Sequence, residues 1–483
     1  MSRLNGFAGG AYTSFSVNAD LQSCVNLIPE KVESGQGKGD PVLYLTPGLR
    51  LFATMPAAPI RAIAAGERRC FVVAGGNFYE LHENTTSDYR GGVNNDGRLA
   101  QVAFNGNQVA ISSNKLLWVD NGSGADIVHF EGTGTPAVTA MQVAYLDSFF
   151  IAQDEPDTDI PDSPRSFHHS APLNGLSWDA TDMASKEAQP DALGGILASH
   201  EDLWLFGSQS TEVWRNNYST APTSFPWERD PSAIQHQGIV GEFSHCRLAE
   251  GVAWLSGSTQ GYCVALHAQG YQPKRVSTHA VEQEWAGYTT VADAESFSYT
   301  DKGHAFWMIN FPTANKTWCY DATTGLWHRR GWWNGTTWDR HRARVHAAVL
   351  WPSGNSMNLV GDWQNGKIYE LTTDVWDDDG TPIHWERTCP HSTEENKRIF
   401  FSRMELEMEK ATGTTATLSW SNDGGKNFTA GLTSSNGATG ATKTRLHWHR
   451  LGSARDRVYR FSGTATGKTA LIDAYVRGQS GIH

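Results

Sequence analysis

Five carboxylates crowd one stretch, DEPDTDIPDSP at 154–164: Asp154, Glu155, Asp157, Asp159 and Asp162. Two carboxylates facing each other across a pocket could cleave a glycosidic bond, provided apolar surroundings raise the pKa of one. Here the acids share a single loop with three prolines, which favours solvation. Asp157 and Asp159 could touch Ca²⁺, but no glycine and late glutamate follow at the spacing of a calcium loop. A second acidic run, WDDDG at 376–380, reads as a turn at a domain junction. In HWH, His447 and His449 share one face of a strand and could form a metal pair, yet no third ligand is identifiable. His168 and His169 are adjacent, so in a strand they point apart. No G-x-S-x-G, Walker loop or strand-to-helix G-x-G-x-x-G is present. The expectation is no enzyme, no catalytic residue, no metal and no cofactor.

The stretch SNDGGKNF at 421–428 places Ser421, Asp423, Gly425 and Phe428 in the pattern Ser-x-Asp-x-Gly-x-x-aromatic, an Asp-box. The same pattern marks propeller blades of sialidases. Its chemistry is that of a turn. The Asp should accept hydrogen bonds from backbone amides, the Gly should take a special φ, and the aromatic should pack beneath the hairpin. A sialidase repeats the box, whereas one good copy stands here, outside the repeats described below.

The one concentration of positive charge is WHRRGWWNGTTWDRHRARVH, 327–346. It combines Arg329, Arg330, Arg340, Arg342 and Arg344 with Trp327, Trp332, Trp333 and Trp338. Arg and Trp are enriched where proteins meet, and Arg with aromatics also suits nucleic acid or sugar. A packed hairpin linking two repeats is the plain alternative. The candidate interface is Arg329, Arg330, Trp332, Trp333, Trp338, Arg340, Arg342 and Arg344.

The elements that must position these residues are strands. The 483 residues include 48 Gly, 19 Trp, 20 Phe and 14 Tyr with only 19% charged, a composition suited to β-turns and pleated faces. Only STHAVEQEWAG (277–287) reads as helix, starting after Ser277 or Thr278. A net charge of −12 argues against general nucleic-acid coating. No apolar run of membrane-spanning length occurs, and the N-terminus lacks the layout of a signal peptide. Six scattered cysteines (Cys24, Cys70, Cys246, Cys263, Cys319, Cys389) form no C-x-x-C pair and read as reduced thiols of a protein made in the cytoplasm.

A weak repeat begins at 60, 99, 140, 194, 245, 295 and 344. Each unit runs strand, turn, strand ending in an aromatic, turn. The spacing, about 40 to 54 residues, matches a four-stranded propeller blade. In DLWLFGS, Leu203 and Leu205 share one face and Trp204 and Phe206 the other, so the strand should be buried on both sides. The turns GGN (75–77), NGN (105–107) and QNG (364–366) should supply positive φ. The fold class is therefore all-β: a β-propeller of about seven blades, six or eight left open, with an additional C-terminal β-sandwich or barrel. The divisions are a 1–55 N-terminal arm, a 56–375 propeller and a 376–483 β-domain. The arm either supplies the outer strand of a blade or braces the ring.

Taken in order, VNLIPE, LYLTPGL, GGILASHEDLWLFGSQSTEVW, RDPSAIQHQGIVG and LSWSNDGGKNF resemble the packaged-DNA stabilisation proteins of short-tailed phages, also called tail accessory or tail hub proteins. The resemblance implies a virion structural protein of the tail, made in the host cytoplasm and not inserted in a membrane. It implies a homo-oligomeric ring, a hexamer, below the portal and head-to-tail adaptor protein. That ring would close the channel on packaged DNA and give attachment to the tail needle and tailspike. The competing reading, resting on the Asp-box and the Trp-rich hairpins, is a propeller carbohydrate-binding protein or glycosidase.

Overall fold

The computed structural model describes all residues except 33, 35–36, 38–40, 156–164, 218–224, 258–262, 410–414, 436–442, 466 and 482–483. Seven antiparallel four-stranded sheets stand around one axis: blade 1 (60–92), blade 2 (101–127), blade 3 (143–185), blade 4 (193–229), blade 5 (245–275), blade 6 (295–330) and blade 7. Their innermost strands touch in cyclic order, with blade 7 meeting blade 1. Blade 7 takes three strands from 343–372 and its fourth, Gly48–Thr54, from the arm. Closing the last blade with a strand from the other end of the chain zips the ring shut through main-chain hydrogen bonds.

The reason these strands stack is their apolar character on both faces. Leu203 and Leu205 of the strand Asp202–Gly207 enter the core between blades 3 and 4, while Trp204 and Phe206 of the same strand enter the core between blades 4 and 5. Each of the seven gaps between neighbouring blades is filled by buried side chains, and the cluster between blades 5 and 6 continues into the sandwich core. The helix His279–Ala286, capped by Thr278, slots Trp285 into the gap between blades 5 and 6, where its ring lies 5.5 Å from Trp327.

The turns divide by mechanism. Gly75 (φ +52°) and Gly106 (φ +97°) take the left-handed conformation expected of them. Gly366 does not: it is needed because a Cβ there would sit 2.6 Å from the Met55 carbonyl oxygen. In YDATTGLWH, Asp321 accepts from the Thr323 amide at 2.9 Å and from the Thr324 hydroxyl at 2.8 Å, which fixes the blade 6 outer hairpin.

Two further sheets form a β-sandwich. One has the order Lys443–His449, Ile399–Glu409, Ala470–Ser480, Val42–Leu45, Leu27–Glu30. The other runs Cys24–Val25, His384–Thr388, Asp456–Thr464, Thr415–Ser421, Leu432–Ser435. Cys24–Val25 also pairs in parallel with Leu326–Arg330 of blade 6, so one hydrogen-bonded sheet runs from the propeller into the sandwich. The arm thus contributes strands to blade 7 and to both sandwich sheets. All six cysteines are free and buried.

Candidate functional site

The Asp-box builds the turn after Thr415–Ser421. Ser421, almost fully buried, donates its hydroxyl to Asp423 at 2.5 Å and accepts the Gly425 amide at 2.8 Å. Asp423 accepts the backbone amide and the side-chain amide of Asn427 at 3.0 and 2.7 Å. These donors, the Ser421 hydroxyl first, hold the exposed Asp423 carboxyl far below its ordinary range. Both Asp423 oxygens thus accept hydrogen bonds that build the turn. Gly425 has φ +91°, and a Cβ there would lie 2.2 Å from the tip of Leu21 in the arm. Phe428 departs from expectation: it is half-buried beside the hairpin, with the Arg460 guanidinium 3.6 Å over its ring. Gly425→Ala should therefore lower the unfolding free energy by about 1–2 kcal/mol, the cost of a left-handed alanine, and loosen the contact with the arm. Chemical denaturation followed by tryptophan fluorescence checks it.

The remaining chemical candidates separate. Asp154 bonds the His168 ring at 2.7 Å, and Glu155 pairs with Lys115. Asp157, Asp159 and Asp162 lie outside the described residues. His169 turns away from His168 to pack against Phe149 and Phe225. His447 receives a hydrogen bond from Arg403 at 3.0 Å and lies 3.7 Å from Glu405, which also pairs with Arg403 and Arg445. Among the described residues no three His, Cys, Asp or Glu side chains are grouped to hold a metal.

The arginine–tryptophan hairpin is a joint. Arg344 is buried and grips Glu295 with Nε and Nη2 at 2.9 and 2.5 Å. Arg330, also buried, donates to the Pro47 carbonyl at 2.9 Å and meets the His341 ring at 3.0 Å. Arg340 lies 3.9 Å over Trp363, and burial pulls it down to about 10. Arg342 stacks on Trp332 at 4.0 Å and reaches Asp362 at 3.3 Å. Trp333 and Trp338 close around His384 of the sandwich, ring centroids 4.8 and 5.4 Å away. The hairpin thus spans blade 6, blade 7 and the sandwich. Arg329, Trp332, Trp333, Trp338 and Arg342 keep partial exposure; Arg330, Arg340 and Arg344 do not.

Asp378 is buried beneath this joint, opposite Leu49 of the arm. Burial raises its carboxyl to about 7, although Arg330 and Arg342 pull the other way. The native pKa exceeds the unfolded one, so this group weakens the fold as pH rises from the ordinary carboxylate range, and the loss is complete above pH 7. Asp378→Asn should raise the melting temperature at pH 8 and leave it unchanged at pH 4, which paired thermal scans check.

All seven inner strands line the propeller axis around a cavity of about 700 Å³, with small side chains such as Ala65, Ala103, Ala144, Ala198, Ser298 and Ala348 and larger ones such as Tyr145, Arg247 and His346. At one mouth the polar residues converge. Arg61, fully buried on blade 1, donates to the carbonyls of Asn94 and Arg98 at 2.8 and 2.7 Å and to Asp96 at 2.6 Å. Arg344 also donates to the Gly97 carbonyl at 3.1 Å, and Arg98 pairs with Glu242. Of this girdle only Arg344 is among the candidate residues above. The girdle's signal was there in Arg61, Gln101, Gln142, Glu295 and Arg344, polar residues at or next to the starts of otherwise apolar inner strands.

Two family models match the chain: "Bacteriophage P22 Gp10, beta-propeller" over residues 9–376 and "Bacteriophage P22 Gp10, beta-sandwich" over residues 384–479. No curated protein matches it. Among solved structures it is similar to the N-terminal domain of Nup159, with TM-score 0.41 and 9% identity over 72% of this chain and 97% of that one. The extracellular domain of a one-component system from B. thetaiotaomicron gives TM-score 0.41 and 7% identity over 68% of this chain, which spans only 40% of that protein. An exo-beta-1,3-galactanase from Phanerochaete chrysosporium with galactose gives TM-score 0.28 and 10% identity over 78% and 95%. Likenesses at this level transfer no function.

Proposed function

The chain belongs to the bacteriophage P22 Gp10 family, the packaged-DNA stabilisation proteins, and on that premise we propose that it is a structural protein of a phage tail, acting through assembly. The observation that carries this is the match of the two family models to propeller and sandwich in order, together spanning nearly the whole chain. In finer detail, copies form a ring, a hexamer, below the portal and head-to-tail adaptor protein. The ring closes the exit channel on packaged DNA and gives attachment to the tail needle and tailspike. The protein works in the virion tail after synthesis in the host cytoplasm, and no helix among the described residues is long and apolar enough to cross a membrane.

Several features support a non-enzymatic reading. The Asp-box oxygens are committed to a turn, and the hairpin that invited a sugar- or DNA-binding role is largely occupied internally. We propose its partly exposed members, Arg329, Trp332, Trp333, Trp338 and Arg342, as the part that meets a neighbouring virion protein. The working division into arm (1–55), propeller (56–375) and C-terminal β-domain (376–483) is supported at its second boundary by the family models, one ending at 376 and the other beginning at 384.

The test is a phage lacking this protein. Heads should fill and then leak their DNA, and purified protein mixed with the adaptor should co-assemble into a ring-sized species. Heads that retain DNA would count against the plug role. A monomer indifferent to phage proteins but binding glycans would restore the carbohydrate reading.

A further inference from the structure

The seven-bladed ring leaves a bore along its own axis, lined by small residues such as Ala65 and Ser298 and by larger ones such as Tyr145, Arg247 and His346. One end of that bore is crossed by a five-residue segment, Asn94–Asn95–Asp96–Gly97–Arg98, in the link between blades 1 and 2. The segment is fastened on three sides of the ring. Blade 1 holds it through Arg61, which takes the carbonyls of Asn94 and Arg98 and the Asp96 carboxylate. Blade 7 holds it through Arg344, which takes the Gly97 carbonyl. The third fastening is Arg98 to Glu242, a residue of the link between blades 4 and 5, three blades further around the ring. An ion pair between links so placed must cross the mouth. Its position agrees with the cavities: Leu99 and Phe243 line both the axial bore and a shallow recess outside it, and the recess is bounded by Arg98 and Glu242.

We infer that Asn94–Arg98 is a plug across one mouth of the propeller bore and that the Arg98–Glu242 pair is its latch. The three fastenings differ in kind. Arg61 is fully buried and tied to five acceptors, and Arg344 is buried on Glu295; both belong to the ring wall. Arg98 is well exposed, and the segment it carries is exposed throughout, so this fastening can release without unfolding a blade. Within the segment the Gly97 and Arg98 amides are held only by side chains, the first by Asn95 at 3.0 Å and the second by Asp96 at 3.1 Å.

The latch answers to protonation. Burial raises the Glu242 carboxyl above its ordinary value even with Arg98 beside it. The charges facing it are Arg98 and Asp96 on the plug and Lys115 on the blade 2 turn, the last paired with Glu155. Gln142 holds the Glu242 carbonyl at 2.6 Å, and His245 is kept neutral by burial, its pKa about 4. As pH falls through the raised value, Glu242 becomes neutral, the pair is lost, and the wall fastenings persist.

Amide hydrogen exchange on the full chain tests this. Glu242→Gln should speed exchange at Gly97 and Arg98 about tenfold or more while leaving the inner strands of blades 1 and 7 unchanged. In the wild type an acceleration at the same two amides, corrected for intrinsic rates, should grow as pH is lowered from 7.5 toward the carboxylate range and be absent in Glu242→Gln. The charge-swapped double variant Arg98→Glu with Glu242→Arg should restore protection. Less than a twofold change at Gly97 and Arg98 in Glu242→Gln overturns the latch, as does acceleration spread equally over the inner strands. None of these readouts depends on assembly into a virion, so failure here leaves the proposed function standing.

Discussion

Arg387→Ala should be among the most damaging single substitutions outside the propeller cores, costing about 4 kcal/mol and freeing the first two dozen residues of the chain. The Arg387 side chain is fully buried on the sandwich strand His384–Thr388. Among the described residues it has no carboxylate ion-pair partner, and it works through acceptors of the arm. It donates to the carbonyls of Phe7 at 2.6 Å, Gly6 at 2.8 Å, Gly10 at 3.1 Å and Ser23 at 3.2 Å, and to the Gln22 side chain at 2.8 Å. Five donors in a rigid fork fit five acceptors on a segment with little regular structure of its own. Truncation leaves buried carbonyls unpaired, each costing about 1–3 kcal/mol less whatever water can recover. The damage is not confined to the arm, because Cys24–Val25 follows directly and carries the sheet from blade 6 into the sandwich. Urea denaturation gives the energetic loss; limited proteolysis should cut the variant within residues 1–23 well before the wild type. Arg387→Lys should recover little, since one ammonium cannot reach five separated acceptors. An arm equally resistant to protease in Arg387→Ala would show that it is held by its apolar residues, Leu4 and Phe7, instead.

What the sequence discloses depends on how local the physics is. The Asp-box is legible because Ser421, Asp423, Gly425 and Asn427 bond among themselves within seven residues. The blades are legible because a strand such as Asp202–Gly207 shows both apolar faces in six consecutive letters. The pairing of Gly48–Thr54 with Lys367–Thr372 is not, because alternation identifies a strand but not a partner some three hundred residues away. The same holds for the arginine-rich hairpin. Its letters give positive charge and aromatic surface, a description of an interface. What turns Arg330, Arg340 and Arg344 inward are Pro47, Trp363 and Glu295, which come from three other stretches of the chain. Phe428 is similar: the cation over its ring, Arg460, comes from the strand Asp456–Thr464, which pairs with Thr415–Ser421 but lies some thirty residues on in the chain.

Glu295→Ala should then cost about 3–5 kcal/mol, as breaking a buried ion pair does. Glu295 and Arg344 are both buried at the plugged mouth, on the inner strands of blades 6 and 7, and their bond is two-pronged. Removing the carboxylate strands a guanidinium that cannot lose its proton, in a place where water reaches poorly. Replacing both partners, Glu295→Leu with Arg344→Met, should recover roughly half or more of that loss, since two apolar side chains of similar size carry no desolvation penalty. The comparison discriminates between two uses of Arg344. If it serves the ring wall, the single variants unfold at lower denaturant, the double variant recovers, and assembly with other tail proteins follows stability. If it serves as a contact for another protein, Arg344→Met should keep the midpoint of denaturation while losing association. The geometry favours the first, because Arg344 is buried and spends its Nε and Nη2 donors on Glu295 and the Gly97 carbonyl. A denaturation midpoint unchanged in Glu295→Ala would mean that Arg344 finds another anion at that mouth, and the obvious one within the girdle is Asp96, now held by Arg61.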